Sequence, residues 1–475
     1  MQASMFNVRV PLEGDEVFLM NTFTDAQLMV SHDVLDLIDR VHLADDFSAA
    51  ERETIEQLVE QGFLVSDREA EREDLRRFFR EVRDNTDTLK ITVLTTLQCN
   101  FACDYCIQGD HGEYNKHAAK MSLEMSARVS SWVESRMNEL GPRRLILTFF
   151  GGEPLLNLPV LYDMADRLHA ACAARGIELL INIITNGLLL SRELVERLNP
   201  LGLNGIKITL DGDRDAHNRM RPLRGGQGTF DRIIANTRAV ADLTRISVGG
   251  NFDADSVDSY PALLDFLAAQ DFAPRLSKVT FKPVIRSSAS APAKGTIPLT
   301  VVGAEGKPLN GACMTSAGTG VSRVCDSCNF VDDQMAFLRE ETKKRGFSTA
   351  DGVHMGPCEI HKGHSYTIGP DGSLFACPGF AGEALQSTGH IDGRREAHHS
   401  QALKNFERLA AWEQCNDCAF IPVCAGGCTV AAHNELGDMH APNCHKTSFE
   451  AGLVALAHDA VRAHLSSQSP VTTNP

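Results

Sequence analysis

From Leu89 onward, short apolar runs of strand character alternate with stretches in which apolar residues recur every three or four positions, the spacing of one helix face. Such alternation predicts a parallel sheet with crossover helices. Six strands are expected, at Lys90–Leu94, Leu145–Phe150, Leu179–Ile184, Gly205–Leu210, Ile246–Phe252 and Lys278–Val284. Helices are expected near 123–139, 156–174, 191–198, 230–242 and 257–269. A closed barrel of this kind takes about eight strand–helix repeats, so six leave it open or partial, over residues 89–286.

Different patterns flank this segment. Residues 1–70 read as a small α+β unit: strand-like Phe6–Val10, Glu16–Met20 and Gln27–Val30, helical Val34–Val41 and Ala49–Gln61, then Phe63–Val65 as a returning strand. Residues 71–88 continue a run of mixed charge with helical propensity and no sustained apolar face, which predicts a linker helix. Residues 287–324, rich in Ser, Ala, Gly and Pro, are expected to form an irregular bridge. Residues 325–465 are cysteine-rich, with a turn signal at Gly369–Gly372 and a helix expected near Asp332–Arg345; 466–475 is expected to be a disordered tail.

Composition narrows the function. At 475 residues, 43% hydrophobic and 23% charged, the chain is globular and has room for several domains. Its net charge of -16 gives no electrostatic drive toward nucleic acid or an anionic membrane, and neither is an expected partner. With no long apolar run and no secretory signal, it is expected in the cytoplasm. In that compartment 14 cysteines point to metal binding rather than disulfides.

Cys99, Cys103 and Cys106 follow the first barrel strand. Three thiolates so close in sequence wrap one face of a four-iron cluster, which takes four ligands, so one iron is left open for a substrate. The alternative is structural zinc, for which His111 is near enough to complete the site. The next strand ends are Phe150-Gly151-Gly152-Glu153-Pro154, Thr185-Asn186-Gly187, Thr209-Leu210-Asp211-Gly212 and Asn251. Barrel enzymes build their sites at these C-terminal strand ends.

The Cys-x3-Cys-x2-Cys run after strand one, with Tyr105 before its last cysteine and Gly151-Gly152-Glu153-Pro154 about 45 residues on, resembles the radical S-adenosylmethionine (radical SAM) enzymes. The resemblance implies an α/β fold, a partial (β/α)6 TIM-like barrel, with a four-iron (4Fe-4S) cluster on Cys99, Cys103 and Cys106 and S-adenosylmethionine as cofactor. Gly151 and Gly152 would let the backbone approach the ligand, and Glu153 would take its ammonium. Thr185, Asn186, Thr209 and Asp211 would supply ribose and methionine contacts, and Asn251 would lie near the adenine. His217-Asn218-Arg219-Met220-Arg221-Pro222 resembles a His-Asp-x-x-Arg-Pro stretch of many members, with Asn218 in place of Asp. Arg221 is then a carboxylate or substrate contact, or else part of a solvated loop. The implied chemistry is reductive cleavage of S-adenosylmethionine to methionine and a 5'-deoxyadenosyl radical, which takes a hydrogen atom from an unactivated carbon. No catalytic side chain is singled out.

Downstream, Cys358, Cys377, Cys415, Cys418, Cys424, Cys428 and Cys444 are spaced as in the SPASM domain, the auxiliary-cluster extension of radical SAM enzymes that modify peptides and proteins. That resemblance implies two auxiliary 4Fe-4S clusters. Cys415, Cys418, Cys424 and Cys444 would hold the outer one; Cys358, Cys377 and Cys428 would hold the inner one, with Cys328 or Cys325 as fourth ligand. Cys172, alone in a helical stretch, reads as a small buried hydrophobe. The implied function is maturation of a ribosomally made precursor peptide, with a reducing flavodoxin or ferredoxin as electron donor. Residues 1–70 resemble the PqqD-like units that hold a leader peptide as an added strand. The alternatives are maturation of a larger protein, a sulfatase or amine dehydrogenase subunit, and a zinc-stabilised scaffold. Pro378 follows Cys377 where the anaerobic sulfatase maturases carry Asp, which argues against formylglycine formation.

Overall fold

In the computed structural model the described residues are 1–43, 46–106, 118–284, 301–302, 308–309, 326–349, 353, 356–381, 383–444 and 446–468. Most of the bridge 287–324, His111, Cys325, the Cys328 side chain and the tail from 469 lie outside them.

The chain opens with β1 (Gln2–Ala3), β2 (Asn7–Pro11), β3 (Glu16–Asn21), β4 (Gln27–Ser31), α1 (His32–Arg40), α2 (Ala49–Glu60) and β5 (Leu64–Val65). Strands β2, β3 and β4 form an antiparallel sheet in that order, and β1 pairs with β5. Successive side chains on a strand point to opposite faces, and β3 is apolar on both. Val17 and Leu19 pack with Leu35 and Ile38 of α1 and Ile55 and Leu58 of α2. Phe18 and Met20, with Val8 and Val10 of β2, pack instead against Val353, Phe420, Val423, Leu453 and Ala457 of the C-terminal region.

The mixed-charge stretch forms α3 (Arg68–Asp84), N-capped by Asp67, whose side chain accepts from Ala70 N. It has a buried face that the charge pattern concealed. Leu75 and Phe79, one turn apart, join Met5, Phe6, Trp412, Ile421 and Ala425 in one cluster, and Phe79 stacks on Trp412 at 4.7 Å. On the same helix the buried Glu71 accepts from Met5 N at 3.0 Å, from the Ser4 hydroxyl and from Arg68. Helix α3 thereby ties the start of the chain to the region around Trp412.

The barrel segment runs β6 (Thr88–Thr96), α4 (Leu123–Leu140), β7 (Arg144–Gly151), α5 (Leu158–Ala173), β8 (Glu178–Thr185), α6 (Arg192–Leu198), β9 (Leu203–Thr209), α7 (Arg214–Met220), α8 (Phe230–Val240), β10 (Ile246–Phe252), α9 (Tyr260–Ala268) and β11 (Leu276–Pro283). All six strands pair in parallel with their sequence neighbours, as the alternating pattern predicts. Ile91, Leu147, Ile183, Ile208, Val248 and Val279 are buried in one core with Val133, Leu161, Val195, Ile233 and Leu264 of the helices. The alternate positions Thr92, Thr148, Asn182, Lys207, Gly249 and Thr280 therefore face the opposite side, the barrel lumen. That lumen is lined with polar residues, unlike the packed apolar interior of a closed barrel.

The sheet does not stop at β6. After the short pair β12 (Val301–Val302) and β13 (Pro308–Leu309) and helix α10 (Asp326–Lys344), strand β14 (Ser365–Ile368) pairs in parallel with β6, Thr367 opposite Thr92. Strands β15 (Ser373–Phe375) and β16 (Gly389–His390) follow antiparallel, giving nine strands in the order β11-β10-β9-β8-β7-β6-β14-β15-β16. Helices α11 (Ala397–Glu407) and α12 (Lys446–Gln468) complete the C-terminal region.

Candidate functional site

Parallel pairing brings the C-terminal ends of β6 to β10 to one rim, where the candidate residues gather. The loop 97–106 lies across it. Gly152 N donates to Thr96 O at 2.9 Å and Glu153 N to Gln98 O at 2.8 Å. A Cβ on Gly151, at φ +129, would stand 2.3 Å from Thr96 O, and one on Gly152 would stand 2.2 Å from Gln98 O. The paired glycines thus admit the backbone of the cysteine loop. Gly152→Ala is expected to push the loop off the rim, with loss of iron at the first site while the auxiliary iron is retained; separate iron assays of the variant and of its triple-cysteine derivative check this.

Glu153 is fully buried. It accepts from Leu155 N at 3.0 Å, Thr185 Oγ1 at 2.7 Å and Asn186 N at 2.8 Å. Burial pushes its pKa up, and the three donors work against that push. Asn186 Nδ2 donates to Asn100 Oδ1 at 2.7 Å, so the end of β8 also grips the cysteine loop.

A second network holds the loop from the far side. Asp211 Oδ2 accepts from the Tyr105 hydroxyl and, at 3.3 Å, from Arg221 Nη1. Arg221 also donates to the Tyr105 oxygen at 2.6 Å and lies over the Phe101 ring at 5.6 Å. Asn251 N donates to Asp211 Oδ1 at 2.6 Å. Arg224 Nε donates to Cys99 O at 2.9 Å and Ala102 N to Pro222 O at 2.9 Å. Residues 221–224 are therefore no solvated loop: they pin the cysteines. Thr209 is half-buried on the lumen face of β9 beside this network.

His217 and Asn218 set the angle of that segment. Burial holds His217 well below its ordinary pKa, and its Nδ1 accepts from Asp211 N at 3.2 Å. The proton is then on Nε2, which donates to Thr229 Oγ1 at 3.0 Å, while the Thr229 hydroxyl donates to Arg221 O at 2.9 Å. Asn218 Oδ1 accepts from Thr229 N at 2.8 Å and Phe230 N at 3.0 Å, capping α8. An amide does this as well as a carboxylate, which accounts for Asn where related stretches carry Asp. Nothing in the linear pattern marked Asn100, Phe101, Arg224 or Thr229, whose parts depend on the fold.

The cysteines fall into three groups. At the rim, burial pushes the Cys99 thiol up to about 12 and the Cys103 thiol up to about 11; Cys106 opposes ionisation of both. Cys377 is pushed up to about 12 by burial, with Cys358 and Cys428 adding to the rise. Cys424 is pushed up to about 12 by burial, with Cys415, Cys444 and Cys418 adding. Cys358, Cys377 and Cys428 thus lie near one another, as do Cys415, Cys418, Cys424 and Cys444. Neutral thiols must shed protons to bind metal, so loading each group releases protons and is favoured at higher pH.

Residues 93–252 match the model of the Radical SAM superfamily. Among curated proteins the chain is 33% identical over 163 residues to a GTP 3',8-cyclase of Synechococcus sp., a match covering 33% of this chain and 43% of that protein. It is 27% identical over 175 residues to an Fe-coproporphyrin III synthase of Methanosarcina barkeri, covering 36% of this chain and 39% of the relative. The chain thus spans less than half the length of these curated relatives. Among solved structures, native anSMEcpe with bound AdoMet and Kp18Cys peptide superposes with a TM-score of 0.58 at 15% identity, over 79% of this chain and 99% of that one, which shows a shared fold. Residues 93–252, which carry Cys99, Cys103, Cys106 and Glu153, are a radical SAM domain.

Proposed function

We propose that this enzyme is a peptide maturase: it generates a 5'-deoxyadenosyl radical and abstracts hydrogen from a ribosomally made precursor peptide, leaving a crosslink or similar oxidative change. The observation that carries the reading is the gathering of Cys358, Cys377 and Cys428 in one set and Cys415, Cys418, Cys424 and Cys444 in another, beyond the barrel. In this reading both sets hold auxiliary 4Fe-4S clusters, the inner one completed by Cys328 or Cys325, and Cys99, Cys103 and Cys106 hold the cluster to which S-adenosylmethionine binds.

When bound, that cluster and S-adenosylmethionine supply the radical. The chain's own residues do the rest. Gly151, Gly152, Asn186, Tyr105 and the Asp211–Arg221 pair hold the cysteine loop over the lumen. Glu153, Thr185, Thr209, Asp211 and Asn251 offer polar contacts to the cofactor at the rim. In the N-terminal unit β4 is one edge of the β2-β3-β4 sheet, with no further strand beside it among the described residues, and such an edge suits a leader peptide added as a strand. A flavodoxin or ferredoxin in the cytoplasm would supply electrons.

A nucleotide substrate is the second reading, favoured by the 33% identity to a GTP 3',8-cyclase. One experiment separates them. Reduced enzyme and S-adenosylmethionine are incubated with a short candidate peptide encoded beside the gene, and in parallel with GTP. The proposal predicts a two-hydrogen mass loss from the peptide and intact GTP; conversion of GTP with the peptide unchanged supports the nucleotide reading.

A further inference from the structure

The lumen of the barrel is positively charged on one side. Lys207 of β9 and Lys278 and Lys282 of β11 occupy lumen-facing positions, alternating with the buried Ile206, Ile208 and Val279. The Lys207 side chain crosses the intervening strand over Gly249: a Cβ there would lie 2.5 Å from Lys207 Cε and 3.2 Å from its Nζ. Glycine at 249 makes room for the ammonium. Burial lowers the Lys207 pKa, and Lys282 and Lys278 lower it further, so the three charges lie within reach of one another.

In a chain of net charge -16, none of the three has a carboxylate partner among the described residues. The neighbouring buried cation, Arg221, is by contrast paired with Asp211. A half-buried ammonium without a counter-charge is costly, and three together repel. An anion brought in by a substrate relieves both costs. Lys282 sits opposite Asn251 in the β10–β11 register, next to the rim network, and its charge is also felt at Cys377 and Cys428. Lys282 therefore borders the space between the rim cysteines and the inner cysteine set, with Lys207 and Lys278 deeper along the strands.

We propose that Lys207, Lys278 and Lys282 form a carboxylate site in the barrel lumen, so that the peptide segment entering the barrel carries an Asp or Glu side chain, or ends there in its free C-terminal carboxylate. This rests on the peptide reading above for the identity of the substrate. A lysine ammonium makes a charge-assisted hydrogen bond to a carboxylate and none of comparable strength to a neutral amide.

The test uses three tripeptides and isothermal titration of the anaerobically reconstituted, full-length enzyme at low ionic strength. The probes are N-acetyl-Gly-Glu-Gly-amide, its Gln counterpart, and N-acetyl-Gly-Gln-Gly with a free C-terminus. At least one acidic probe is expected to bind about tenfold tighter than the neutral one, and which of the two does so names the source of the carboxylate. The preference is expected to disappear in Lys207→Met and in Lys282→Met; Lys282 is exposed, so its variant keeps the fold. Equal or absent binding of all three probes overturns the site, as does a preference that survives in both variants, or GTP binding tighter than either acidic probe. The 5'-deoxyadenosine formed by the same preparation is recorded alongside. Its absence counts against the proposed function, while its presence with indifferent probes counts against the carboxylate site alone.

Discussion

With Cys99, Cys103 and Cys106 replaced together by alanine, the protein is expected to lose about four of about twelve irons and all formation of 5'-deoxyadenosine. The magnitude follows from the ligand count. Cys99, Cys103 and Cys106 are the three ligands assigned to the rim cluster, so no partial cluster is expected to survive their removal, and the other two sets lie elsewhere in the fold. The loop itself should persist, because Gly152, Glu153, Asn186, Pro222 and Arg224 hold it largely through its backbone and through Asn100. Cys172→Ala is the internal control. That thiol is buried in α5 against the Met137 sulfur at 3.7 Å, and its loss should leave iron and activity unchanged. Iron analysis and product chromatography on both variants check the pair; undiminished 5'-deoxyadenosine from the triple variant would contradict the assignment.

Deletion of residues 1–66 is expected to cost the outer set of irons and the solubility of the protein. Phe6, Phe18 and Met20 are fully buried, and with Met5, Val8 and Val10 they cover Phe420, Ile421, Val423 and Ala425, the segment between Cys418 and Cys428. Side chains of this kind contribute about 1.5–3 kcal/mol each when buried, so six amount to roughly 9–18 kcal/mol, comparable to the whole stability of a domain. The Thr22 hydroxyl also donates to Ala419 O. The deletion is therefore a poor probe of leader binding, since it strips the support from Cys415, Cys418 and Cys424. Substitutions on the outer strand β4 test that role without uncovering the core. A truncated protein that is soluble and keeps all its iron would contradict the packing argument.

The barrel was legible because its strands are apolar on the helix-covered face and begin and end on turn residues: Ile246–Phe252 coincides with its expected bounds, and Leu145–Phe150 lengthens by one residue at each end. Helix α3 was misread for a physical reason. Leu75 and Phe79 are its only buried apolar residues, too few to register among its charges, yet enough once Trp412 packs against Phe79. The extension of the sheet by β14 joins residues nearly the whole barrel apart in sequence, and a four-residue strand carries no mark of its partner. At the site, the cysteines and Gly151-Gly152-Glu153-Pro154 stood out as motifs, but the glycines serve the cysteine loop, a role visible only when both backbones are seen together. Lys207 looked like an ordinary polar position on a strand until Gly249 was found beneath it.

The most direct measurement is of what becomes of S-adenosylmethionine. Anaerobically reconstituted, reduced protein is mixed with it and the products are separated. The account predicts 5'-deoxyadenosine and methionine in equal amounts, dependent on reductant and on Cys99, Cys103 and Cys106. Intact S-adenosylmethionine over protein that carries zinc at those three cysteines would contradict it.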